Sequence, residues 1–387
     1  MNSPLLSIII PTRNRYVTLI SVVNALEKYF YDYNVEIVIQ DNSDDNSIIQ
    51  NYLENHHLRK VKYYYNSTKL SMVDNSELAI SNSKGRYLIF VGDDDIVIPS
   101  VMKVIEAMEE YNMESVIYPI ANYFYPDVKF HKEYGFNKSS TLSFVNNIQY
   151  EYFKLDTKIE LARVEAMGGI FIADLPRLYH GIVRRDIVQK IKITYGKYVP
   201  GPCPDMTTSA ALAVILNNHF KINLPISIAG NSSLSEGGKG PTNSHVVKLE
   251  DKSWLNMNDV KDWSSKLPRI FSRETIWAQS LFHVLSLSRK PNLNYKSVYD
   301  SMIFTAPRKI LGIINDKYLN DGPFVGNFLG LIKAYIKRYL RLFIYNCPTF
   351  FIEFLMSVRG DYKSKQVAYN VMTIEECVKV LENKIKI

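Results

Sequence analysis

The sequence predicts an α/β protein whose mostly parallel central sheet is flanked by helices, and three observations lead to this class. Residues 5–10 form a continuous run rich in β-branched side chains, which is typical of a strand buried on both faces. Residues 17–30 carry helical spacing and lead to a second apolar run at 35–39, a length that fits one strand-helix-strand unit. The alternation then continues, with strands at 61–65 and 87–91 and helices at 48–55 and 74–83.

The composition is that of a folded globular protein. Of the 387 residues, 47% are hydrophobic and 22% are charged, and this balance excludes intrinsic disorder. The net charge of +7 is a mild excess that does not indicate a nucleic-acid binder. Three widely spaced cysteines suggest neither a disulfide framework nor a zinc site, so we expect a reducing, cytoplasmic location. The apolar N-terminal run ends at Arg13, too early for a signal peptide or a membrane span.

Beyond residue 118 the pattern is less regular. Residues 126–152 are polar and aromatic without a clear period, and no element is predicted there. A strand at 224–229 precedes a Gly- and Ser-rich stretch that is typical of a flexible loop. We therefore expect three parts: an α/β domain at 1–230, a flexible loop at 231–253 and a helical region at 254–387.

Polar clusters follow three of the predicted strands. They occupy residues 11–15, 40–45 and 92–95. Open parallel sheets bind ligands outside the carboxyl ends of their strands. The sequence therefore predicts that these clusters converge on one ligand crevice.

The cluster after the fourth strand contains Asp93, Asp94 and Asp95 in a row. Adjacent carboxylates repel one another unless a positive group lies among them, and hard divalent cations bind carboxylate and phosphate oxygens together. The alternative is an Asp-rich turn before a helix. Asp41, at the end of the second strand, can accept hydrogen bonds from a base or ribose, or it can form an Asx turn.

The order and spacing of these segments resemble the family 2 glycosyltransferases with the GT-A fold. Within that family the chain looks most like bacterial enzymes that build O-antigen, capsule or related surface polysaccharide. The resemblance rests on LSIIIPTRNR at 6–15, VIQDNS at 38–43, GRYLIFVGDDD at 85–95 and the pair Pro204-Asp205. It implies a Rossmann-like domain that binds a nucleotide sugar, with the loop at 231–253 over the active site.

The resemblance implies a nucleotide diphosphate sugar donor, with a UDP-sugar favoured. The residues that it assigns to the donor are Pro11, Thr12, Arg13, Asp41, Asn75 and Asp93. Arg13 replaces the aromatic residue that is usual there, and its guanidinium plane can still stack on a base. Asn75 has the alternative role of a helix cap.

The resemblance also implies a divalent cation, Mn²⁺ or Mg²⁺, with Asp94 as the chief ligand and Asp93 and Asp95 beside it. Such an ion neutralises the charge that develops on the leaving diphosphate. His245 is a further candidate ligand, with a solvated loop histidine as the alternative. Gly92 stands where the family motif often begins with aspartate.

Asp205 matches the family's general base, the carboxylate that takes the proton of the acceptor hydroxyl during displacement with inversion. Its alternative role is an ordinary helix N-cap. The acceptor that the resemblance implies is a saccharide hydroxyl, with polyprenyl diphosphate as the carrier at the cytoplasmic face of the membrane.

The C-terminal third contains a basic stripe, Lys333, Lys337 and Arg341, along a wide apolar helix face. This pattern is typical of a helix that lies on a membrane surface, and packing onto the first domain or onto a second copy explains the same face. Charges interrupt the segment, so a membrane span is not predicted.

Two other functions stay open on the sequence. One is a catalytically silent subunit that binds a sugar nucleotide or a glycan without turnover. The other is a retaining or sugar-phosphate-transferring enzyme, which differs in its anomeric product or releases a nucleoside monophosphate.

Overall fold

A computed structural model describes residues 3–240, 246–252, 255, 257–321, 328–360 and 364–385. In these residues the main sheet has eight strands. In spatial order they are Val61–Tyr65 (β3), Val35–Asp41 (β2), Leu6–Thr12 (β1), Tyr87–Phe90 (β4), Ile182–Arg184 (β10), Ser115–Ile117 (β6), His219–Asn223 (β11) and Gln149–Leu155 (β9). Six strands share one direction, while β10 and β9 run antiparallel to their neighbours. The predicted α/β class with a mostly parallel sheet is confirmed.

Helices bury both faces of this sheet. Along β1, Ile8 and Ile10 face one core while Ile9 faces the other, which is why the strand reads as a continuous apolar run. The helices around it are Tyr16–Tyr29 (α1), Ser47–Asn55 (α2), Met72–Asn82 (α3), Val101–Glu110 (α4), Thr157–Ala166 (α5), Arg185–Tyr195 (α6) and Pro204–Ile215 (α7). Side chains of α1, α2 and α4 contribute to the first core, and those of α3, α5, α6 and α7 contribute to the second.

A second sheet of five described strands adjoins the polar end of the first. Its strands in spatial order are Lys365–Tyr369 (β15), Thr141–Val145 (β8), Ala121–Phe124 (β7), Ser227–Asn231 (β12) and Ile96–Val97 (β5). The chain leaves the main sheet at the end of β4 and enters the second sheet at β5, where it pairs with β12. The three aspartates at 93–95 therefore lie at the junction of the two sheets.

The C-terminal region is mainly helical, as predicted. Its elements are a hairpin of Val247–Lys248 (β13) and Ile270–Phe271 (β14), and the helices Arg273–Ser286 (α8), Tyr295–Thr305 (α9), Arg308–Asp316 (α10), Phe328–Asn346 (α11), Thr349–Arg359 (α12) and Ile374–Ile385 (α13). In the described part of the chain no helix is both long and apolar enough to cross a membrane.

The chain after α12 returns to the first domain, which the sequence did not predict. Strand β15 pairs antiparallel with β8. Helix α13 packs against α1, and Lys28 Nζ lies 2.8 Å from Glu375 Oε1. The region 254–387 is thus not purely helical, and the domain boundary at residue 230 stays a prediction.

Candidate active site

The turn at 92–95 buries three consecutive carboxylates. Asp93, Asp94 and Asp95 are 0%, 3% and 1% exposed. Gly92 begins the turn because it lacks a side chain: a Cβ there would lie 2.9 Å from Asp95 Oδ2 and 3.1 Å from Tyr179 Oη. This close contact accounts for glycine at a position where the family often has aspartate.

Asp95 is held by donors on all sides. Its Oδ2 accepts hydrogen bonds from Gly92 N at 2.6 Å and Tyr179 Oη at 2.7 Å, and it lies 3.1 Å from His180 Nε2. Its Oδ1 accepts from Gly230 N at 2.8 Å. Burial alone would raise the pKa of Asp95, but the contacts with His180, Tyr179 and Gly92 hold it below its usual value. Both oxygens of Asp95 are thus engaged within the protein, and its expected role as a metal ligand stays a prediction.

Asp93 and Asp94 keep one oxygen each for a cation. Asp93 Oδ2 accepts from Thr12 Oγ1 at 2.6 Å, and Asp94 Oδ2 accepts from Ser232 N and Oγ at 3.0 and 2.7 Å. The other oxygens face Arg15, with Asp93 Oδ1 2.8 Å from Nη2 and Asp94 Oδ1 3.6 Å from Nη1. Burial raises the pKa of Asp93 to about 7, although Arg15 opposes the shift, and burial also raises the pKa of Asp94.

A divalent cation fits this pair of carboxylates. Asp93 Oδ1 is buried and is held only by its ion pair with Arg15 among the described residues, so a bound cation could take the place of that guanidinium. Two protein oxygens, completed by water and substrate phosphates, are a common way of binding Mg²⁺. Among the described residues, no three His, Cys, Asp or Glu side chains group as a metal site of their own.

The strand β12 and the residues after it close over the turn. A Cβ on Gly230 would lie 1.7 Å from the carbonyl oxygen of Asp94, so only glycine allows this approach. Ser232 then donates to Asp94, and Ser235 Oγ donates to Ser232 O at 3.0 Å. The first residues of the predicted flexible loop are therefore hydrogen-bonded to the carboxylate turn. The candidate ligand His245 lies outside the described residues.

Asp205 lies on the other side of the site, in the first turn of α7. The N-cap of this helix is Cys203, with no side-chain cap, so Asp205 does not serve as the cap. Burial raises the pKa of Asp205 to about 6; His180 lowers it and Asp95 raises it further. These couplings bring Asp205 into the same electrostatic cluster as the carboxylate turn.

A small cavity lies beside Asp205. Its lining includes Asp205, Tyr179, Ser76, Phe90 and Thr208, and it has about 10 Å³ of room for the centre of a water molecule, roughly enough for one water. Tyr179 contributes to both sides, because its hydroxyl also donates to Asp95. The cavity therefore places a water-sized space next to the Asp205 carboxylate.

Asp41 is buried in a complete hydrogen-bond shell. Its Oδ1 accepts from Ser43 N and Oγ at 2.8 and 2.6 Å, and its Oδ2 accepts from Tyr16 Oη and Tyr63 Oη at 2.7 and 2.8 Å. The expected Asx turn is present in the Ser43 contact. A base that binds to Asp41 has to replace one of the two tyrosines, so the base-binding role stays a prediction.

The remaining predicted donor residues are placed around the ends of β1 and β2. Arg13 Nη2 lies 2.8 Å from Asp44 Oδ1 at the exposed rim, and Pro11 is half-buried. Asn75 lies inside α3, so it is not the cap, which is Ser71. Its Nδ2 is 3.5 Å from Thr12 O, and its buried Oδ1 accepts no hydrogen bond among the described residues.

Three residues of this site were missed by the sequence interpretation. Arg15 lay in the first polar cluster but was given no role, although a cation beside an acidic cluster was the expected requirement. Tyr179 and His180 carried no readable signal. His180 has φ +53°, and its Nδ1 lies 2.7 Å from Ser227 Oγ, which fixes the ring against Asp95.

The fold and the site define an α/β protein with a cluster of carboxylate side chains at the carboxyl ends of its parallel strands, where sheets of this kind bind ligands. Residues 7–168 match the family described as glycosyl transferase family 2. The expected family resemblance is confirmed, and it supports a transferase. No curated protein matches the chain.

Solved structures resemble the chain at low sequence identity. TarS 1-349 of S. aureus in complex with UDP-GlcNAc is 16% identical with a TM-score of 0.46, over 86% of this chain and 88% of that one. The mannosyltransferase PcManGT of Pyrobaculum calidifontis, in complex with GDP-Man and Mn²⁺, is 12% identical with a TM-score of 0.40, over 100% and 88%. A longer TarS chain of S. aureus is 14% identical with a TM-score of 0.41. The match covers 85% of this chain but only 54% of that one, so this chain spans about half of its length.

Proposed function

We propose that the protein is an inverting glycosyltransferase that moves one sugar from a nucleotide diphosphate sugar to a saccharide hydroxyl. A UDP-sugar is the first donor to test. The observation that carries the proposal is that the carboxylates of the site have two kinds of surroundings. Asp93 and Asp94 each have an oxygen that faces the guanidinium of Arg15, whereas Asp205 lies beside a small cavity. The family 2 segment at residues 7–168 supports the same reaction class.

The donor end of the site is organised by Asp93, Asp94 and Arg15. A bound Mn²⁺ or Mg²⁺ would supply positive charge beside the leaving diphosphate. Arg15 stays charged, because Asp93 and Asp94 raise its pKa and outweigh burial, which acts to lower it. Its guanidinium can therefore turn from the carboxylates to phosphate oxygens, the bidentate contact that arginine forms well.

The acceptor end depends on Asp205. As the acceptor oxygen bonds to the anomeric carbon, the bond from that carbon to the phosphate oxygen breaks and its electron pair leaves with the diphosphate. Asp205 takes the hydroxyl proton, and attack opposite the leaving group inverts the anomeric centre. Tyr179 and His180 hold Asp95, and with it the carboxylate turn, in place.

The wider proposal is a step in surface polysaccharide synthesis on the inner face of the cell membrane, with an acceptor carried on polyprenyl diphosphate. It rests on the resemblance to transferases of that kind. The requirement is one free acceptor hydroxyl that reaches the cavity beside Asp205.

Calorimetric binding of UDP, GDP, CDP and dTDP, each with and without Mn²⁺, tests the donor site. We expect one nucleotide to bind in a metal-dependent way and to bind much more weakly to Asp94→Asn. Asp186→Asn is the matched control. Asp186 lies in the first turn of α6, where it is paired with Arg184 away from the site. Nucleotide binding that ignores both the metal and Asp94 contradicts the proposal.

Turnover separates the remaining functions. Donor binding with no transfer to any saccharide, and no change in Asp205→Asn, favours a silent binding subunit. A product with the donor's anomeric configuration favours a retaining enzyme, and release of a nucleoside monophosphate favours a sugar-phosphate transferase.

A further inference from the structure

Helices α11 and α12 expose an unusually apolar face. Leu329, Phe343, Phe350 and Phe354 are 74%, 68%, 71% and 61% exposed, and Ile336 and Leu340 are also more than half exposed. These side chains form a surface that is larger than the scattered apolar residues of an ordinary protein exterior. Such a face points to a partner.

The inner face of α11 combines apolar packing with buried charge, since Ala334 lies in the second core and Tyr335 packs against that core. Arg338 is buried, and its Nη1 donates to Ile303 O at 2.7 Å and Ala306 O at 2.9 Å at the end of α9. Arg341 Nη1 donates to Phe304 O at 2.7 Å. The helix is therefore fixed to the protein body by its arginines and by this apolar packing, while a second apolar face is left outside.

The charges on the exposed face favour an anionic surface. Lys333 and Lys337 are exposed one turn apart on α11, and Arg359 is exposed at the end of α12. Glu353 is the one acidic residue in these two helices, and its Oε1 accepts from Gly135 N at 3.3 Å. A second copy would bring like charges together, whereas anionic lipid headgroups complement them.

We propose that the outer face of α11 and α12 is a membrane-docking surface that lies in the plane of an anionic lipid bilayer. Its aromatic and aliphatic side chains enter the acyl boundary, and Lys333, Lys337 and Arg359 remain at the headgroups. This inference goes beyond the proposed reaction and does not depend on it, because the contacts that carry it lie outside the carboxylate site.

Sedimentation of the full chain with lipid vesicles tests the proposal. We expect binding to vesicles of phosphatidylcholine mixed with phosphatidylglycerol, and weaker binding to phosphatidylcholine alone. The triple variant Ile336→Ser, Phe343→Ser, Phe354→Ser should bind about a thousandfold more weakly, since each side chain loses roughly a tenfold contribution when it no longer enters the bilayer. Lys333→Gln with Lys337→Gln should remove most of the preference for the anionic vesicles.

The matched control is the triple variant Ile48→Ser, Ile159→Ser, Ile193→Ser, which removes three exposed apolar side chains from α2, α5 and α6. It should bind vesicles like the wild type, and the thermal unfolding of both triple variants shows that each is folded. If either triple variant unfolds, the double lysine variant decides the outcome: the proposal requires that it loses most of the preference for anionic vesicles and that salt weakens the vesicle binding of the wild type.

Three results would overturn the proposal. One is wild-type protein that stays in solution with both vesicle types. Another is equal vesicle binding by the wild type and the Ile336, Phe343, Phe354 variant. The last is a concentration-dependent dimer in analytical ultracentrifugation that this variant abolishes without any vesicle binding, which assigns the face to a second copy.

Discussion

The carboxylates at the ends of β2 and β4 are equally buried but are held in different ways. Asp41, after β2, accepts four hydrogen bonds from Ser43, Tyr16 and Tyr63. Asp93, after β4, accepts one hydrogen bond and leaves its second oxygen to the guanidinium of Arg15. An aspartate thus follows both strands, but the hydrogen-bond acceptor sites of Asp41 are all occupied and those of Asp93 are not.

This difference distinguishes a carboxylate that stabilises its own loop from one that can bind a ligand. A buried carboxylate with all its acceptors engaged needs no ligand and stabilises its loop, whereas one with a free oxygen is costly until a cation reaches it. Asp95 belongs with Asp41 in this respect, and Asp94 and Asp205 belong with Asp93. Substitutions of these carboxylates should therefore differ in what they cost.

Asp205→Asn should have the largest effect. We expect kcat for sugar transfer to fall about a thousandfold, because the amide cannot take the acceptor proton. The thermal unfolding midpoint should not fall, since no described donor is lost. Turnover equal to the wild type would place the base elsewhere.

Asp95→Asn and Asp41→Asn should cost stability rather than only activity. We expect the free energy of unfolding to fall by about 3 kcal/mol in Asp95→Asn and about 2 kcal/mol in Asp41→Asn. In each variant the new amide NH₂ would face N–H or O–H groups, which are themselves donors. Urea titration measures both values. Asp94→Asn is the contrast, with an expected loss below about 1 kcal/mol, and an equal loss in all three variants would remove the division.

The pH dependence of kcat reports on Asp205. Its pKa is raised to about 6 by burial, and the base must be ionised to accept a proton. We therefore expect kcat to be constant above that value and to fall roughly tenfold for each pH unit below it. Nucleotide binding measured over the same range separates this effect from loss of the donor. A profile that stays flat down to pH 4 would contradict the assignment.

Tyr16→Phe should lower the free energy of unfolding by only about 1 kcal/mol, since Asp41 keeps its other three donors. If a base binds Asp41, the affinity for the nucleotide should rise several-fold, because one donor no longer has to be displaced. Calorimetry measures this change. An unchanged affinity would assign Asp41 to support alone.

The N-terminal fold was predictable because its strands are buried on both faces and therefore read as unbroken apolar runs. The strand at 61–65 is reproduced, and β1 and β2 extend two residues beyond the predicted ends. Strands β8 and β9 were not predicted, since β9 is largely exposed and has little apolar patterning. Strand β15 is short and half-buried, so its sequence carried no period.

The site was predictable where neighbours in sequence are also neighbours in space. The order of carboxylates at 93–95 could be read directly, but their roles could not. The contacts that tell Asp95 from Asp94 come from Tyr179, His180, Gly230 and Ser232, which lie far away in the chain. Local patterns do not encode contacts of that range.

The packing of α13 on α1 has a consequence for synthesis of the chain. Domains usually begin to fold from the N-terminus while translation proceeds. Here α1 packs against α13, so the part of α1 under that helix stays open to solvent until residues 374–385 leave the ribosome. A contact closed over such a separation in sequence slows folding.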